Sequence, residues 1–127
     1  MTNPGRAILG AFCIALIMKV FLFDFMVAEG RSMLPAIQPG TVMVVLKTAY
    51  GLRLPGAEEY LFRWSQPKPG EVIIFYAPDG VLAVKRCASV PEAWTFIVLG
   101  DNSKDSKDSR SYGPIGFDCI IGKVLGM

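Results

Sequence analysis

Histidine is absent from the 127 residues. That absence removes the Ser-His-Asp triad, the Cys-His dyad, imidazole-ligated zinc or haem, and general acid–base work by imidazole. Cysteine is scarce, and three residues do not by themselves make a zinc or iron–sulfur site. Excess charge is small, +2, which is no footprint of a nucleic-acid binder. No GxxxxGK[ST] or GxGxxG run occurs, so nothing is built to cradle a phosphate. The composition therefore gives no reason to expect a cofactor, a metal or a nucleic acid, and proton transfer must fall to Lys, Asp, Glu, Tyr or Cys.

What is present is apolar: 52% of the residues are hydrophobic. The length suits one domain at most, since domains typically run ~100–150 residues. The apolar residues concentrate first at the N-terminus. Ala7–Met18 is unbroken, Lys19 interrupts, and Val20–Phe23 resumes before Asp24. A bilayer needs ~20 residues of helix, so 7–23 spans only if Lys19 snorkels to the interface. A cleaved signal peptide and a buried helix are the rival readings; the first lacks a small-x-small cleavage site. The favoured reading divides the chain into a tail and uncleaved membrane anchor, residues 1–23, and a second domain, residues 24–127. Arg6 ahead of the anchor places the N-terminus in the cytoplasm and the domain outside it.

The second part reads as mainly β. Thr41–Leu46 and Glu71–Tyr76 are runs of β-branched and aromatic residues that follow Pro39-Gly40 and Pro69-Gly70. Val81–Cys87 follows Pro78-Asp79-Gly80, which makes 71–87 a hairpin. Trp94–Leu99 and Cys119–Val124 are further short strands. Lys47–Lys68 is an irregular insertion with a Tyr60-Leu61-Phe62-Arg63-Trp64 cluster, suited either to a lipid interface or to ordinary packing. Such spacing suggests a small antiparallel barrel or sandwich.

Four segments carry candidate chemistry. Glu29-Gly30-Arg31-Ser32-Met33-Leu34-Pro35 holds a serine in a turn. Pro69-Gly70-Glu71-Val72-Ile73-Ile74-Phe75 is a turn and strand. Ala83-Val84-Lys85-Arg86 puts a lysine inside an apolar strand. Gly100-Asp101-Asn102, Ser106, Asp108-Ser109-Arg110 and Gly113 form a long polar loop. Each alone reads as ordinary structure. Together, in this order, they resemble the boxes of the type I signal peptidases, membrane-bound Ser-Lys proteases. The resemblance covers about residues 8 to 124.

It implies Ser32 as nucleophile and Lys85 as general base, with Ser106 hydrogen-bonding the lysine amine to orient it. Lysine serves as a base only where desolvation lowers its pKa from ~10.4, which an apolar strand favours. Asp108 and Arg110 match a structural ion pair, while Asp101, Asn102, Ser109 and Gly113 match the scaffold of the same box. The oxyanion donor is the backbone N–H of Ser32, alone or with a second amide near Gly30, because Gly30 stands where some members carry a hydroxyl. The implied substrates are exported preproteins cut after small residues at P1 and P3, the A-x-A pattern. Ala28, Met33, Ile37, Met43 and Val84 are the candidate pocket walls. The bilayer of the cytoplasmic (inner) membrane is the other implied partner.

Four positions depart from the family pattern: Ala36 after Pro35, Glu71 after Gly70, Ser103 after Asn102, and Pro91-Glu92-Ala93 after the lysine strand. None touches the Ser-Lys pair. The short stretch from Glu92 to Leu99 leaves out the inserted β-domain of larger members. Two other functions stay open: a pilin-maturing peptidase of a conjugation system, and a catalytically idle membrane-tethered β-domain acting in assembly. Cys13 lies in the expected anchor. Cys87 and Cys119 permit a disulfide if the domain is exported, with two free thiols as the alternative.

Overall fold

The computed structural model describes residues 3–54 and 56–127. Helix α1 spans Pro4–Phe21. Proline at its first turn suits a position whose N–H has no helical acceptor, and the Asn3 side chain caps it by accepting from the Gly5 amide at 2.9 Å. Its apolar residues are exposed on every side, among them Ile8, Phe12 and Ile17. The expected spanning anchor over 7–23 is not what forms. The helix ends at Phe21, carries Arg6 and Lys19, and Phe23 already belongs to a strand. Among the described residues no helix is long and apolar enough to cross a membrane.

Nine strands follow among the described residues: β1 (Phe23–Val27), β2 (Val42–Leu46), β3 (Gly51–Leu52), β4 (Phe62–Arg63), β5 (Val72–Tyr76), β6 (Leu82–Glu92), β7 (Thr95–Leu99), β8 (Ile115–Gly116) and β9 (Ile120–Val124). Seven form one sheet in the order β1-β2-β9-β5-β6-β7-β8, with every pairing antiparallel; β3 and β4 form a separate two-stranded piece. The expected barrel is corrected to an open sheet, because β1 and β8 stand at its ends and do not pair. The mainly β, antiparallel class holds. Strand β1 was not expected: its Phe-Asp-Phe-Met-Val run continues the apolar N-terminus, and a short apolar run does not distinguish strand from helix.

Strand β5 explains the packing. Val72, Ile73, Ile74 and Phe75 are all fully buried, so both faces of the sheet are covered. Ile73 and Phe75 join Tyr50, Cys87, Phe96, Val98, Ile115, Phe117 and Ile120 in an aromatic-rich core. Val72 and Ile74 join Ala28, Met33, Ile37, Met43, Val45 and Val124 in an aliphatic one. Full burial of each such side chain is worth roughly 1.5–3 kcal/mol, which locks the register by which the site is built. Cys87 and Cys119 are free thiols, so the permitted disulfide does not form. The 60–64 cluster divides: Tyr60 packs against Phe117 with ring centroids 4.6 Å apart and the rings tilted by 52°, while Leu61, Phe62 and Trp64 are exposed.

Candidate active site

Two elements bring Ser32 and Lys85 together. Ser32 sits in the turn after β1, whose chain reversal uses Gly30 at φ 75°, a conformation that an L side chain rarely adopts. The flanking Ala28, Met33 and Ile37 are buried in the aliphatic core and hold that turn to the sheet. Lys85 lies on β6 opposite Ile73 of β5. Its strand face is that of Ala83 and Cys87, both packed with the aromatic core. The lysine is 6% exposed, and its Nζ donates to Ser32 Oγ at 2.9 Å. Burial pushes the Lys85 amine below its ordinary pKa, and the negative charge of Asp108 opposes that only in part.

The polar loop scaffolds the pair. Arg86 points to the opposite strand face from Lys85 and binds both oxygens of Asp101, at 2.9 and 2.8 Å, and the Gly70 carbonyl at 2.8 Å. This ties β6 to both the loop and the turn before β5. Asp108 is completely buried and accepts from the Gly100 amide at 2.8 Å, Ser106 Oγ at 2.9 Å and Arg110 Nε at 2.9 Å. Burial alone would raise its pKa. The Arg110 guanidinium and these other donors outweigh it and hold the carboxyl well below the usual carboxylate range. Asp108 also caps the short helix α2 (Ser109–Tyr112), which Gly113 ends at φ 80°. Ser109 Oγ accepts from the Val98 amide at 2.9 Å and pins the loop to β7.

Ser106 differs from expectation. Its hydroxyl donates to Asp108 at 2.9 Å, and no Ser106–Lys85 hydrogen bond occurs among the described residues. The carboxylate, with its further demand for donors, captures the hydroxyl. Gly100 is required by proximity: a Cβ there would stand 2.0 Å from Ser106 Oγ and 2.8 Å from the Ser32 carbonyl.

Ser32 and Lys85 line a groove of about 440 Å³, a size typical of a ligand cleft. All five sequence-derived wall residues, Ala28, Met33, Ile37, Met43 and Val84, line it, as does Gly30. Glu29 and Ala83 of the candidate segments line it too, and Met26, Val27, Ala77, Asp79, Val81, Leu82, Asp105, Lys107 and Tyr112, which the sequence did not single out for the site, complete it. The turn signal Pro78-Asp79-Gly80 could have found Asp79, since a hairpin tip beside Lys85 must border the same cleft. Asp79 and Lys107 pair at 3.5 Å. Tyr112 carries a buried hydroxyl without a partner among the described residues, and burial pushes its pKa up to about 12.

A lysine of depressed pKa within hydrogen-bond reach of a serine, in a cleft with one apolar wall, is an arrangement suited to nucleophilic acyl transfer. Comparison with known proteins agrees in kind. The chain matches the family described as signal peptidase, peptidase S26, over residues 1–93 and 87–126. It is 27% identical over 128 residues to a signal peptidase I of Pseudomonas aeruginosa, covering 99% of this chain and 42% of that protein. It is 26% identical over 156 residues to a signal peptidase I of Bacillus caldolyticus, covering 90% of this chain and 84% of the relative. It is 25% identical over 147 residues to the mitochondrial ATP-independent inner membrane protease subunit 1b of Arabidopsis thaliana, covering 97% and 80%. The chain thus spans less than half the length of its Pseudomonas relatives. With the family model matched along nearly the whole sequence, the chain belongs to the signal peptidase family of S26 peptidases.

Proposed function

We propose that the protein is a serine endopeptidase that removes signal peptides from exported preproteins by Ser-Lys catalysis. The observation that carries the reading is the 2.9 Å contact between Ser32 Oγ and the buried Lys85 Nζ. With Lys85 neutral, its amine takes the Ser32 proton as Oγ attacks the scissile carbonyl. It then delivers that proton to the leaving amine, and an acyl-enzyme remains on Ser32. Water, deprotonated by the same amine, releases the product and restores the serine. The tetrahedral oxyanion is met by the Ser32 amide, which has no acceptor among the described residues. Ser106 acts on Lys85 through Asp108: by occupying the carboxylate it limits the charge that would hold the amine protonated.

The substrate is an extended peptide. Strand β1 has one free edge at the end of the sheet. The first part of β6 is bonded to β5 alone, because pairing with β7 begins at Arg86. Both border the groove and offer main-chain groups to a strand laid between them. The apolar wall of Ala28, Met33, Ile37, Met43 and Val84 favours small side chains at P1 and P3, the A-x-A pattern. The exposed apolar surface of α1 and of Phe25, Val27 and Val42 supports association with a bilayer, with the catalytic domain on the extracytoplasmic side of the inner membrane.

The test incubates detergent-solubilised protein with a preprotein bearing Ala at P1 and P3, with the same preprotein carrying Leu at both, and with a pro-pilin. Mass spectrometry locates the cut. Cleavage after Ala in the first alone, lost in Ser32→Ala, is the expected result. Cleavage of the pro-pilin alone assigns the protein to pilin maturation, and no cleavage by fresh wild-type protein overturns the proteolytic reading.

A further inference from the structure

Asn102 is bound to the nucleophile turn in a way that the scaffold role of the polar loop does not require. Its main-chain N–H donates to the Ser32 carbonyl at 2.8 Å. Its side-chain Nδ2 donates to the Arg31 carbonyl at 3.0 Å and to Asp105 Oδ2 at 3.3 Å. One residue therefore grips two consecutive carbonyls, on either side of the catalytic serine. Gly100 lets this happen, since a side chain at that position would stand 2.8 Å from the Ser32 carbonyl.

The peptide unit between Arg31 and Ser32 is trans. In a trans unit the C=O and the N–H point in opposite directions within one plane. Fixing the Arg31 carbonyl towards Asn102 therefore fixes the Ser32 N–H away from the polar loop. That N–H has no acceptor among the described residues, although Ser32 lines the groove. Backbone polar groups are rarely left without a partner, so an amide held in a fixed direction with none is a donor kept for something else. The position two residues earlier is glycine, which supplies no hydroxyl. A single amide whose direction is set from outside is then the donor that the turn itself provides.

We infer that Asn102 is a positioning residue for the oxyanion donor: its carboxamide, by holding the Arg31 carbonyl, aims the Ser32 amide at the developing negative charge. The inference rests on the Ser-Lys reading given above. Asn102 is not among the residues that line the groove, and among the described residues no hydrogen bond links it to Lys85. Its effect belongs to stabilisation of the transition state and leaves both substrate binding and the ionisation of the base unaltered. Donors of this kind act by being preorganised, so a small reorientation is costly.

The test compares wild type with Asn102→Asp, which keeps the shape and the main-chain N–H but loses the Nδ2 donor, and with Asn102→Ala. The expected result on a peptide with Ala at P1 and P3 is a kcat lower by on the order of 10²-fold in both variants. KM should stay within about twofold, and in Asn102→Ala, which adds no charge, the acid limb of kcat/KM should keep its position. A rise in KM at unchanged kcat would make Asn102 a groove-shaping residue. A displaced acid limb in Asn102→Ala would mean that it works through Lys85. Either overturns the inference, as does an unchanged kcat in Asn102→Asp. A second readout needs no turnover: the ¹H–¹⁵N resonance of the Ser32 amide. It should move in Asn102→Asp while that of Val98, held by Ser109, stays put and certifies the fold. If wild type cleaves nothing, the proteolytic reading falls and the Ser32 resonance alone decides: its movement supports the aiming role, and an unmoved resonance overturns it.

Discussion

The two cores of this protein differ in composition and each presents one half of the proposed catalytic pair, Ser32 and Lys85. On one face of β5 lies an aliphatic core of Ala, Met, Ile and Val, and the turn bearing Ser32 is moored to it through Ala28, Met33 and Ile37. On the other lies the aromatic core with Tyr50, Phe75, Phe96 and Phe117, and Lys85 shares its strand face with members of that core. The alternation of β5 keeps the two cores apart, and Ser32 and Lys85 meet at 2.9 Å beside the part of β6 that is not paired with β7. The aliphatic core doubles as the groove wall, where small and flexible side chains leave room for a peptide. The aromatic core borders the cleft through Ala77, Ala83 and Tyr112, which pack against it, and supplies bulk and dryness, which a lysine needs if it is to be neutral. On the proposed mechanism the division of labour between the faces is physical: one shapes the groove, the other lowers the pKa of the lysine.

The comparison is broken most completely at the meeting point. Ser32→Ala and Lys85→Ala should each lower cleavage by on the order of 10⁴- to 10⁶-fold, as single losses from a catalytic nucleophile–base unit do. Circular dichroism should show the fold retained in both, because neither residue belongs to a core cluster. Near-normal cleavage by Lys85→Ala would assign the base elsewhere. A metal chelator and a thiol-alkylating reagent should leave the rate unchanged.

Next come matched cavities, one in each core. Met43→Ala and Ile73→Ala should both cost about 2–5 kcal/mol in denaturant unfolding. Their kinetic effects should separate. Met43 underlies the Ser32 turn, so its loss should lower kcat per folded molecule and leave the acid limb of kcat/KM in place. Ile73 lies opposite Lys85. Its loss admits water beside the amine, relieves desolvation, and should move the acid limb to higher pH. Identical pH profiles for the two variants would mean that the cores are not specialised.

A smaller effect tests the wall alone. Val84→Ala removes two methyl groups from the groove and should widen what P1 or P3 accepts. A change of this size in an apolar pocket is worth roughly 1–3 kcal/mol of discrimination. The expected outcome is a kcat/KM ratio for Val over Ala at P1 or P3 that rises by about tenfold, measured with paired peptides.

Much of this arrangement was legible in the sequence, for identifiable reasons. Pro69-Gly70 and Pro78-Asp79-Gly80 mark a hairpin whose two strands need no other information to pair, and they place Lys85 on the inner part of β6. The polar loop was recognisable because its Gly, Asn, Asp, Ser and Arg occur at fixed intervals. Strand β1 was hidden, since Phe23–Val27 continues an apolar run and only pairing with Val42–Leu46 makes it a strand. The β3–β4 piece was hidden for a similar reason: two-residue strands carry no period. The partner of the Ser106 hydroxyl was illegible because Lys85 and Asp108 compete for it in space, and the buried carboxylate prevails. Asp105, Lys107 and Tyr112 reach the groove only through the path of the 101–113 loop, which no local pattern specifies.

The finest test of the two-core division is thermodynamic and concerns Lys85 in the folded protein. Its folded pKa lies below its unfolded value because burial disfavours the ammonium. Between the two values the unfolded chain binds one more proton than the folded one, so stability rises with pH across that window. Below the folded value the cost is at its full size, and above about 10.4 it is gone. Lys85→Met, of similar length and without a charge, removes that cost. The variant should therefore be more stable than wild type at neutral pH, and its advantage should shrink by at most about 1.4 kcal/mol per pH unit as the pH rises through the window. Tyr50, Tyr60 and Cys87 also have raised pKa values, from burial first, but they are present in both proteins and cancel in the difference. Urea unfolding of both proteins at intervals from pH 6 to 10 measures it. The pH at which the difference begins to fall should coincide with the acid limb of kcat/KM in wild type, since one amine governs both. A difference that stays flat over the whole range would mean that Lys85 titrates alike in the folded and unfolded chains, and the aromatic core would then have no part in making it a base.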